Sequence, residues 1–471
     1  MHISIEKKRL CLDKKLQNAF DSMKDSFTVS DIELKKLARQ FEKEMEKGLD
    51  QPFDSIPMIP TWVTEHPTGN EHGEYLALDL GGTNLRVVSV NLKGNCDFEF
   101  EYTKYPLPAS LRHCSCSELW AHIVGCIEDF LLQKYSPLPK KPLPMGFTFS
   151  FPASQNRIDQ GVLQRWTKGF NIPDVEGKDV VFLLQEEIDK RKLPVKVTAL
   201  INDTTGTLIA SEYSDPETKM GLIFGTGVNA AYFDRIDQIG KMRETVSENL
   251  IKTQTPIAIN TEYGAFDNEH KYLKRTKYDI YIDENSTRPN QQSYEKMVSG
   301  YYLGEILRLV LLDFAIGGMI FKGQDIHKLK IPFIMDASYP ARAEEDDYRQ
   351  LPLIDKIMKT SLGIQTTPCE RQLIQEISIL IGTRAARLSA CAIAAICRRM
   401  NIQSGHCACD GSVFKKYPFF TMRVENALRG IFDWKHGKEI PLKLVAAEDG
   451  SGVGAAIVAC LAKNAAIEKA S

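Results

Sequence analysis

Two glycine-rich turns, each placed between two apolar runs of strand type, contain the residues best suited to chemistry. Asp79 precedes the first turn, Gly81-Gly82-Thr83-Asn84, and Asn229 follows the second, Gly225-Thr226-Gly227. Glycines at a reversal permit positive φ and let the backbone approach a ligand closely. Their N–H groups can line an anion-binding concavity, and a neighbouring acid suits a metal carried by a polyphosphate. Alone, either turn also fits an ordinary hairpin, but the recurrence predicts two phosphate-binding hairpins facing across a cleft.

A strand-to-helix junction supplies a further candidate group. Asn202 and Asp203 follow an apolar strand pattern, Val195 to Ile201, and begin a helical one. Catalytic side chains of α/β proteins gather at the carboxyl ends of strands, although Asn or Asp before a helix is also a routine N-cap. The residues alone leave both interpretations open.

Other acids lie in less regular surroundings. Glu262 and Glu295 each stand in a mixed segment, and Asp-Gly-Ser turns occur at 410–412 and 449–451. The second of these turns enters an alanine-rich C-terminal helix. The N-terminus of such a helix offers N–H groups to a phosphate or to a close backbone contact.

Long helices must hold these groups in place. A helix with one apolar face begins after Ser30 or Asp31 as N-cap, and another is predicted over 370–400 with a possible break at Gly382. Further helical patterns cover 118–133, 179–190 and 300–316. Together with the repeated hairpin, they predict a two-lobed, pseudo-symmetric α/β protein.

The size and composition of the chain exclude several classes of protein. At 471 residues it is too long for a single hydrophobic core, so two or more lobes are expected. A net charge of −2 does not favour a nucleic-acid binder. The best candidate for a membrane span, Ile306 to Phe321, is too short and is interrupted by charges. Residues 1–13 lack the features of a targeting signal, and we therefore expect a cytoplasmic protein.

Eleven cysteines are spread along the chain. An odd number in a long chain of this kind predicts reduced thiols rather than a disulfide framework. Two His-Cys-x-Cys clusters, at 113–116 and 406–409, could in principle form a zinc site, but C-x-C is not the usual spacing of zinc ligands. Buried or loop thiols without a metal are the preferred interpretation.

The glycine clusters do not fit the common nucleotide-binding motifs. A dinucleotide-binding fingerprint needs a helix directly after its glycines, whereas strand patterns follow both turns. Neither a G-x-x-x-x-G-K-[ST] motif nor the protein-kinase set of motifs occurs. The sequence therefore supports neither a P-loop kinase nor a protein kinase.

Long segments of the chain resemble the hexokinases. They include LALDLGGTNLRVV, GFTFSFPASQN, LQRWTKGFNIPDVEGKDVV, LINDTTGTLIAS, GLIFGTGVNAA, INTEYGAFDNEH, YEKMVSGYYLGE, DGSVFKKYP and AEDGSGVGAA. They follow the family's order from about Ile56 onward, and PASQN resembles the fungal-type enzymes. The resemblance implies the two-lobed, actin-like and ribonuclease-H-like ATPase fold, with the active site in the interlobe cleft. It also implies a small lobe of residues 71–201 plus 450–471 and a large lobe of residues 1–70 plus 202–449.

The same resemblance implies ATP-dependent phosphorylation of the 6-hydroxyl of glucose, fructose or mannose, the first step of glycolysis. Asp203 matches the family's catalytic base, and Lys168 matches a residue that contacts the sugar and offsets charge on the transferring phosphoryl group. The implied sugar contacts are Ser150, Thr167, Lys168, Asn202, Asp203, Asn229, Glu262 and Glu295. The implied nucleotide contacts are Asp79, Gly81, Gly82, Thr83, Asn84, Gly225, Thr226, Gly411, Ser412 and Lys415, and Asp79 would hold Mg²⁺ through water.

Hexose and ATP are the implied partners, with no nucleic acid or membrane, and a monomer or homodimer is expected. A glucose-restricted glucokinase fits the same residues. A non-sugar actin-like ATPase or a silent sugar sensor is more remote, because the former has no need of Glu262 and Glu295 and the latter no need of Asp203. The chain departs from the fungal pattern at Asn290, where glycine is typical, and at Cys407 and Cys409, where small or apolar residues are usual.

Overall fold

Two β-sheets organise the chain in the computed structural model, which describes residues 12–51, 56–81, 84–166, 170–435 and 437–470. One sheet has the strand order β4-β3-β2-β5-β8, the other has the order β1-β11-β10-β9-β12-β13, and β6 pairs with β7 alone. The strands are β1 (Ile59–Pro60), β2 (His72–Leu80), β3 (Asn84–Gly94), β4 (Asp97–Pro106), β5 (Leu143–Phe149), β6 (Ala153–Ser154), β7 (Val162–Leu163), β8 (Val195–Ile201), β9 (Thr218–Phe224), β10 (Val228–Arg235), β11 (Pro256–Asn260), β12 (Gly405–Asp410) and β13 (Leu442–Ala446).

Helices cover both sheets. They are α1 (Lys14–Phe27), α2 (Asp31–Asp50), α3 (Cys116–Lys134), α4 (Val180–Lys190), α5 (Asp203–Ser214), α6 (Glu248–Lys252), α7 (Lys277–Glu284), α8 (Ser293–Val298), α9 (Gly300–Ile316), α10 (Ser338–Glu345), α11 (Pro352–Ile357), α12 (Pro368–Arg399), α13 (Ser412–Lys416), α14 (Phe420–Phe432) and α15 (Gly450–Ala470). The predicted helices over 118–133, 179–190 and 300–316 are confirmed as α3, α4 and α9.

The central strands of the five-stranded sheet are buried on both faces, whereas its edge strand β4 is largely exposed. Strands β2, β5 and β8 are parallel neighbours, whereas β2–β3 and β3–β4 are antiparallel hairpins. Leu76 and Leu78 of β2 pack with the apolar face of α3, while Ala77 between them packs with α15. Successive side chains of a strand point to opposite faces, so the continuous apolar run of β2 serves two layers of helices.

The six-stranded sheet carries the second glycine turn. Strands β9, β10 and β11 form an antiparallel series, and β12 and β13 continue it in parallel with β9. Its core is continuous with the buried faces of α2, α9, α12 and α14. The chain therefore has two α/β halves, each with its own sheet and one of the predicted hairpins.

Helix α2 begins where its pattern predicts. The Ser30 side chain accepts a hydrogen bond from the Glu33 N–H, and the Glu33 side chain accepts one from the Ser30 N–H. This capping box satisfies N–H groups that a helix start otherwise leaves without a partner.

Helix α12 is unbroken, so the predicted break at Gly382 is wrong. A Cβ atom there would strike Glu344 Oε1 and lie 2.7 Å from the Tyr417 ring, so close packing is what calls for glycine. By length and composition α12 is also apolar enough to cross a membrane. Residues 306–321, and not this helix, were the best candidate for a membrane span from the sequence. Within the protein, 78% of the most apolar window of α12 is buried.

The cysteines of the described ranges are free thiols. Cys407 and Cys409 lie in β12 and are fully buried, whereas Cys114 and Cys116 are half-buried at the start of α3. Burial raises the pKa of Cys407 to about 12 and that of Cys409 well above its usual range. Buried thiols of this kind behave as small apolar side chains.

We expect Cys407 and Cys409 to resist alkylation in the native protein. The thiolate is the reacting form, so at pH 8 a pKa of about 12 slows the reaction of Cys407 roughly 10³-fold relative to an ordinary thiol. Iodoacetamide labelling mapped by mass spectrometry would measure this, with exposed Cys96 as the internal control. Labelling of both buried thiols as fast as Cys96 before unfolding would contradict the burial.

Candidate active site

Asp203 lies where β8 passes into α5. Asn202 is the N-cap of that helix, and its Oδ1 accepts hydrogen bonds from the Thr204 N–H at 3.0 Å and the Thr204 hydroxyl at 2.7 Å. Asp203 is the first helical residue and remains half-buried. The capping interpretation is therefore correct for Asn202, and Asp203, the next residue, remains the candidate for chemistry.

A cluster of amides and a carboxylate lies beside Asn202. The Asn229 side-chain amide donates to Asn260 Oδ1 at 2.7 Å, to Glu262 Oε1 at 3.0 Å and to Asn202 Oδ1 at 3.4 Å. Asn260 also donates to Glu262 Oε1, at 2.9 Å. The structure thus brings Asn202, Asn229 and Glu262 together as the sequence predicted. Asn260 was missed, and its place two residues before Glu262 was the signal that could have found it.

Glu262 adopts an unusual backbone conformation. Its φ of 53° lies in the left-handed region, which a side chain with a Cβ rarely occupies. The Glu262 N–H donates to Asn229 Oδ1 at 2.9 Å, so the same amide holds both the backbone and the side chain of this residue. Strain retained in this way is typical of functional sites.

We expect Glu262→Gln to weaken sugar binding more than turnover. The substitution keeps the size but removes a charged acceptor and turns an N–H₂ group towards the donors of Asn229 and Asn260. Loss of a hydrogen bond to a charged group is worth about 1.5–3 kcal/mol, so the glucose KM should rise roughly 10- to 100-fold. Steady-state kinetics would check this against Glu248→Gln at an exposed position. An unchanged KM would exclude Glu262 from the sugar site.

Glu295, on α8, links this cluster to the second glycine turn. Its Oε2 accepts a hydrogen bond from the Val228 N–H at 2.9 Å, and a Cβ atom on Gly227 would lie 2.6 Å from the same oxygen. Gly227 has no positive φ, and the close approach of Glu295 explains the glycine. The side-chain oxygens of Gln291 and Gln292 are buried without a hydrogen-bond partner among the described residues. Because buried polar atoms usually have a partner, these two side chains, just before Glu295, are candidates for contact with a ligand. Neither had a predicted role.

The second turn packs against the Asp-Gly-Ser turn at 410–412. The Gly225 N–H donates to the Gly227 carbonyl at 2.9 Å, and a Cβ atom on Gly225 would lie 3.4 Å from the Gly411 Cα. Gly411 has φ 104°, and a side chain there would strike the carbonyl of Phe224. Thr226 is exposed at the tip of the hairpin. The two turns therefore lie against each other, with Thr226 at the exposed tip.

The predicted adenosine residues Ser412 and Lys415 lie on α13, directly after Gly411. Both side chains are exposed. The Lys415 ammonium pairs with Asp410 Oδ1 at 2.6 Å, which holds the side chain near the turn. The structure thus brings Gly225, Thr226, Gly411, Ser412 and Lys415 together where β9 and β12 of the six-stranded sheet end.

The first turn connects β2 and β3, and its Gly81 N–H donates to the Asn84 carbonyl at 3.1 Å. The predicted contacts Gly82 and Thr83 lie outside the described residues, as do the predicted sugar contacts Thr167 and Lys168. Ser150, another predicted sugar contact, is buried just after β5 in the same sheet.

Arg86 joins the first hairpin to the start of α15. Its guanidinium donates to Asp79 Oδ2 at 2.7 Å, to Ser451 Oγ at 2.6 Å and to Asp449 Oδ1. Burial lowers the pKa of Arg86, but the charges of Asp79 and Asp449 outweigh burial and raise it overall. Arg86, Asp449 and Ser451 had no predicted role. The Asp-Gly-Ser turn before an alanine-rich helix was the available signal.

Small residues bring α5 against α15. A Cβ atom on Gly454 would strike the carbonyl of Gly206, and one on Gly450 would lie 2.7 Å from the Cα of Thr207. The two helices therefore cross at backbone contact, which larger side chains would prevent. Because α5 begins with Asp203 and α15 begins beside Arg86, this crossing fixes Asp203 relative to the first hairpin.

Asp79 suits a water-mediated magnesium ion. Among the residues described, its hydrogen bonds from Arg86 and Ser451 all fall on Oδ2. Asp79, Asp449 and Arg86 together leave one net negative charge. No group of three or more His, Cys, Asp or Glu side chains with metal-ligand geometry occurs in the described part of the chain. This donor set fits an ion that keeps its water and arrives with a polyphosphate.

Comparison with known proteins shows the family of the chain. Residues 19–213 match one family model described as hexokinase, and residues 219–461 match a second with the same description. The chain belongs to the hexokinase family. It is 53% identical to a hexokinase of Kluyveromyces lactis over 451 residues, covering 95% of this chain and 93% of the relative. It is also 53% identical to hexokinase-1 of Saccharomyces cerevisiae over 453 residues, covering 96% and 93%.

A solved structure shows the same architecture. The hexokinase from Schistosoma mansoni complexed with glucose superposes with a TM-score of 0.85 at 34% identity, covering 94% of this chain and 99% of that one. The two sheets, each with its glycine hairpin, are the two-lobed actin-like ATPase fold of the hexokinases. The predicted fold class and the fungal-type resemblance are confirmed.

Proposed function

We propose that this hexokinase transfers the γ-phosphoryl group of ATP to the 6-hydroxyl of glucose, fructose and mannose. The observation that carries the proposal is the joined cluster of Asn202, Asn229, Asn260 and Glu262 beside Asp203. Amides and carboxylates at fixed spacing match the donors and acceptors of a sugar ring, and they reject analogues that leave them unpaired. The glucose bound to the Schistosoma mansoni relative supports a hexose as the occupant.

Asp203 is the base in this mechanism. It accepts the proton of the 6-hydroxyl as that oxygen attacks the γ-phosphorus, and the oxygen of the β-phosphate leaves with ADP. Base catalysis by a positioned carboxylate contributes roughly 10²- to 10⁴-fold in rate. Lys168 offsets charge on the transferring group, and Ser150, Thr167 and Glu295 complete the sugar contacts.

The two hairpins hold the nucleotide. The turns at 81–84 and 225–226 bind the phosphates, while the N–H groups of Gly81 and Gly225 stay within their own hairpins, and the adenosine lies against Gly411, Ser412 and Lys415. When bound, Mg²⁺ neutralises charge on the β- and γ-phosphates, with Asp79 holding it through water. The chain's own part is to place the phosphates in line with the hydroxyl that faces Asp203.

Water must be kept from the γ-phosphate until a sugar is bound, because it competes as a nucleophile. Closure of the two lobes on the sugar achieves this by completing the site only then. We expect small-angle X-ray scattering to show a smaller radius of gyration with glucose than without it. An unchanged scattering profile at saturating glucose would contradict closure.

A coupled assay with ATP and a panel of hexoses tests the proposed function. We expect ADP formation that depends on glucose, fructose or mannose and is slow without a sugar. Turnover of glucose alone would favour a glucose-restricted glucokinase. ADP formation that no hexose accelerates would favour a non-sugar ATPase and overturn the proposal.

We further propose that the enzyme acts in the cytoplasm as a monomer or homodimer, without a nucleic-acid or membrane partner. The near-neutral charge of −2 supports the absence of a nucleic-acid partner. Cell fractionation would test the location, and light scattering after gel filtration would test the oligomeric state. Activity confined to the membrane fraction would contradict the location.

A further inference from the structure

The hydroxyl group of Thr148 joins β5 to the start of α15. Thr148 is fully buried, and its Oγ1 donates a hydrogen bond to the Ser451 carbonyl at 2.8 Å. Ser451 is the second residue of α15 and lies 303 positions further along the chain. Thr148 had no predicted role, although the predicted sugar contact Ser150 follows two residues later. A buried polar group beside the site is therefore still without a part in the mechanism.

Thr148 lies on the same face of the five-stranded sheet as Asp79. The two residues are direct partners where β2 and β5 run parallel. Leu78 and Phe147, which precede them, pack in the cluster that includes α3. Because successive side chains of a strand point to opposite faces, Asp79 and Thr148 both point towards α15. Their hydrogen bonds with Ser451 agree with this.

Ser451 is held at three points by the strands beneath it. Its carbonyl accepts the bond from Thr148 on β5, and its Oγ accepts one from Arg86 Nη2 on β3 at 2.6 Å. The same Oγ donates to Asp79 Oδ2 on β2 at 2.8 Å. Arg86 also donates to Oδ2. The position of Ser451 therefore helps to decide which oxygen of Asp79 faces the protein and which remains for a ligand.

Backbone contact fixes the second turn of α15 and leaves its start to Thr148. A Cβ atom on Gly146, which shares the face of Thr148, would strike the carbonyl of Ala455. Ala455 is four residues after Ser451, about one helical turn further on. Movement at the start of α15 would therefore tilt its first turn about a fixed second turn, and it would displace the Ser451 hydroxyl from Asp79.

The same kind of hydrogen bond occurs in the protein away from the predicted nucleotide contacts. Thr61 is also buried, and its Oγ1 donates to the Ala258 carbonyl at 2.8 Å, which joins the residue after β1 to β11. Each of the two bonds should contribute similarly to stability. They differ in what they hold, because the partner of Thr148 bonds to Asp79.

We propose that Thr148 is a positioning residue for the nucleotide: it holds the start of α15 so that Ser451 stays bonded to Asp79 and orients the Asp79 carboxylate. The inference rests on the proposed function, in which Asp79 holds Mg²⁺ through water. Thr148 acts through Ser451, so its loss should affect nucleotide binding and transfer more than glucose binding. The sugar cluster around Asn229 belongs to the other sheet.

Kinetics of Thr148→Val test the proposal, because valine has nearly the shape of threonine but carries a methyl group in place of the hydroxyl. A carbon atom approaches a carbonyl oxygen to about 3.3 Å, so the start of α15 should shift by roughly 0.5 Å. A misplacement of about 1 Å lowers a rate about 100-fold, so we expect kcat/KM for ATP with Mg²⁺ to fall roughly 10-fold. The dissociation constant of glucose without nucleotide should change less than about twofold.

Thermal unfolding supplies a readout that does not depend on turnover. ADP with Mg²⁺ should raise the melting temperature of Thr148→Val less than that of the wild type at the same concentration, because a ligand that binds more weakly stabilises less. ADP without Mg²⁺ should separate the two proteins less, since the proposal places the change at Asp79. Thr148→Ser keeps the hydroxyl, and its kcat/KM for ATP should stay within about threefold of the wild type.

Thr61→Val is the matched control. It also places a methyl group against a carbonyl that a hydroxyl contacts at 2.8 Å, so without ligand the melting temperatures of the two valine variants should agree within about 4 °C. Thr61→Val should keep the wild-type kcat/KM for ATP and the full rise in melting temperature with ADP and Mg²⁺. A loss of kcat/KM for ATP equal to that in Thr148→Val would overturn the proposal.

The other outcomes are equally decisive. A kcat/KM for ATP in Thr148→Val within about threefold of the wild type overturns the proposal, and so does a loss in Thr148→Ser as large as that in Thr148→Val. If Thr148→Val does not fold, Thr148→Ala, which removes the hydroxyl without placing a methyl group against the carbonyl, is judged by the same limit. If the wild type phosphorylates no hexose, the proposed function fails, and the rise in melting temperature with ADP and Mg²⁺ alone decides the role of Thr148.

Discussion

Replacing Asp203 with alanine should lower kcat for glucose phosphorylation by roughly 10²- to 10⁴-fold, the usual contribution of a positioned base. The expected loss follows from its place as the first residue of α5, beside Asn202 and the cluster of Asn229, Asn260 and Glu262 that we propose to bind the sugar. Asn202 caps the helix independently through Oδ1, so α5 should still form in the variant. A coupled assay at saturating ATP and glucose would measure the change.

Asp203→Asn is the sharper companion variant. It keeps the shape of the side chain and one acceptor oxygen but cannot accept the proton, so its kcat should be as low as that of the alanine variant. Glucose affinity measured without ATP should change far less than kcat, because proton transfer occurs only in the reaction step. Near-normal activity of Asp203→Asn would show that another group is the base.

Replacing Arg86 with methionine should reduce kcat/KM for ATP about 100-fold and also lower stability. The change leaves Asp79 and Asp449 facing each other, with side chains only 12% and 14% exposed. Removing one partner of a buried charge cluster destabilises a protein by about 3–5 kcal/mol, and partial exposure here places the expected loss nearer 2–3 kcal/mol. The unneutralised acids also repel the polyphosphate. Nucleotide kinetics and thermal unfolding would measure the two effects.

Two variants separate these causes. Arg191→Met removes another guanidinium from the half with the five-stranded sheet, one that binds two carboxylates, Glu128 and Glu187, so it should lower stability but leave the ATP kinetics unchanged. Adding Asp449→Asn to Arg86→Met removes one of the opposed charges and should restore part of kcat/KM for ATP. An ATP kcat/KM unchanged in Arg86→Met would exclude this cluster from the nucleotide site.

Features carried by local signals could be predicted from the sequence. The strand β8, the helix start at Asp203 and both glycine hairpins follow from alternation, capping preference and turn chemistry within a few residues. The resemblance to hexokinases then supplied the roles of Asn229, Glu262 and Glu295. In the structure Asn229 donates a hydrogen bond to Glu262, and Glu295 accepts one from the N–H of Val228, the residue before Asn229.

Features that depend on contacts distant in the sequence could not be predicted. Arg86 looks like an ordinary strand residue until α15 places Ser451 beside it, 365 positions away. Gly382 was interpreted as a possible helix break, whereas it, like Gly227, is required by a neighbouring side chain. The hydrogen bond from Arg288 to the Trp166 carbonyl likewise joins residues 122 positions apart and could not be read from the sequence.

Identification of the phosphorylated product tests the central claim most directly. Glucose and ATP would be incubated with the enzyme, and phosphorus–proton coupling in the NMR spectrum of the product would locate the phosphate on the sugar. We predict a single product with phosphate on the 6-oxygen, formed in equal amount with ADP. Phosphate on another oxygen, or ADP without a sugar phosphate, would contradict a site in which Asp203 activates the 6-hydroxyl.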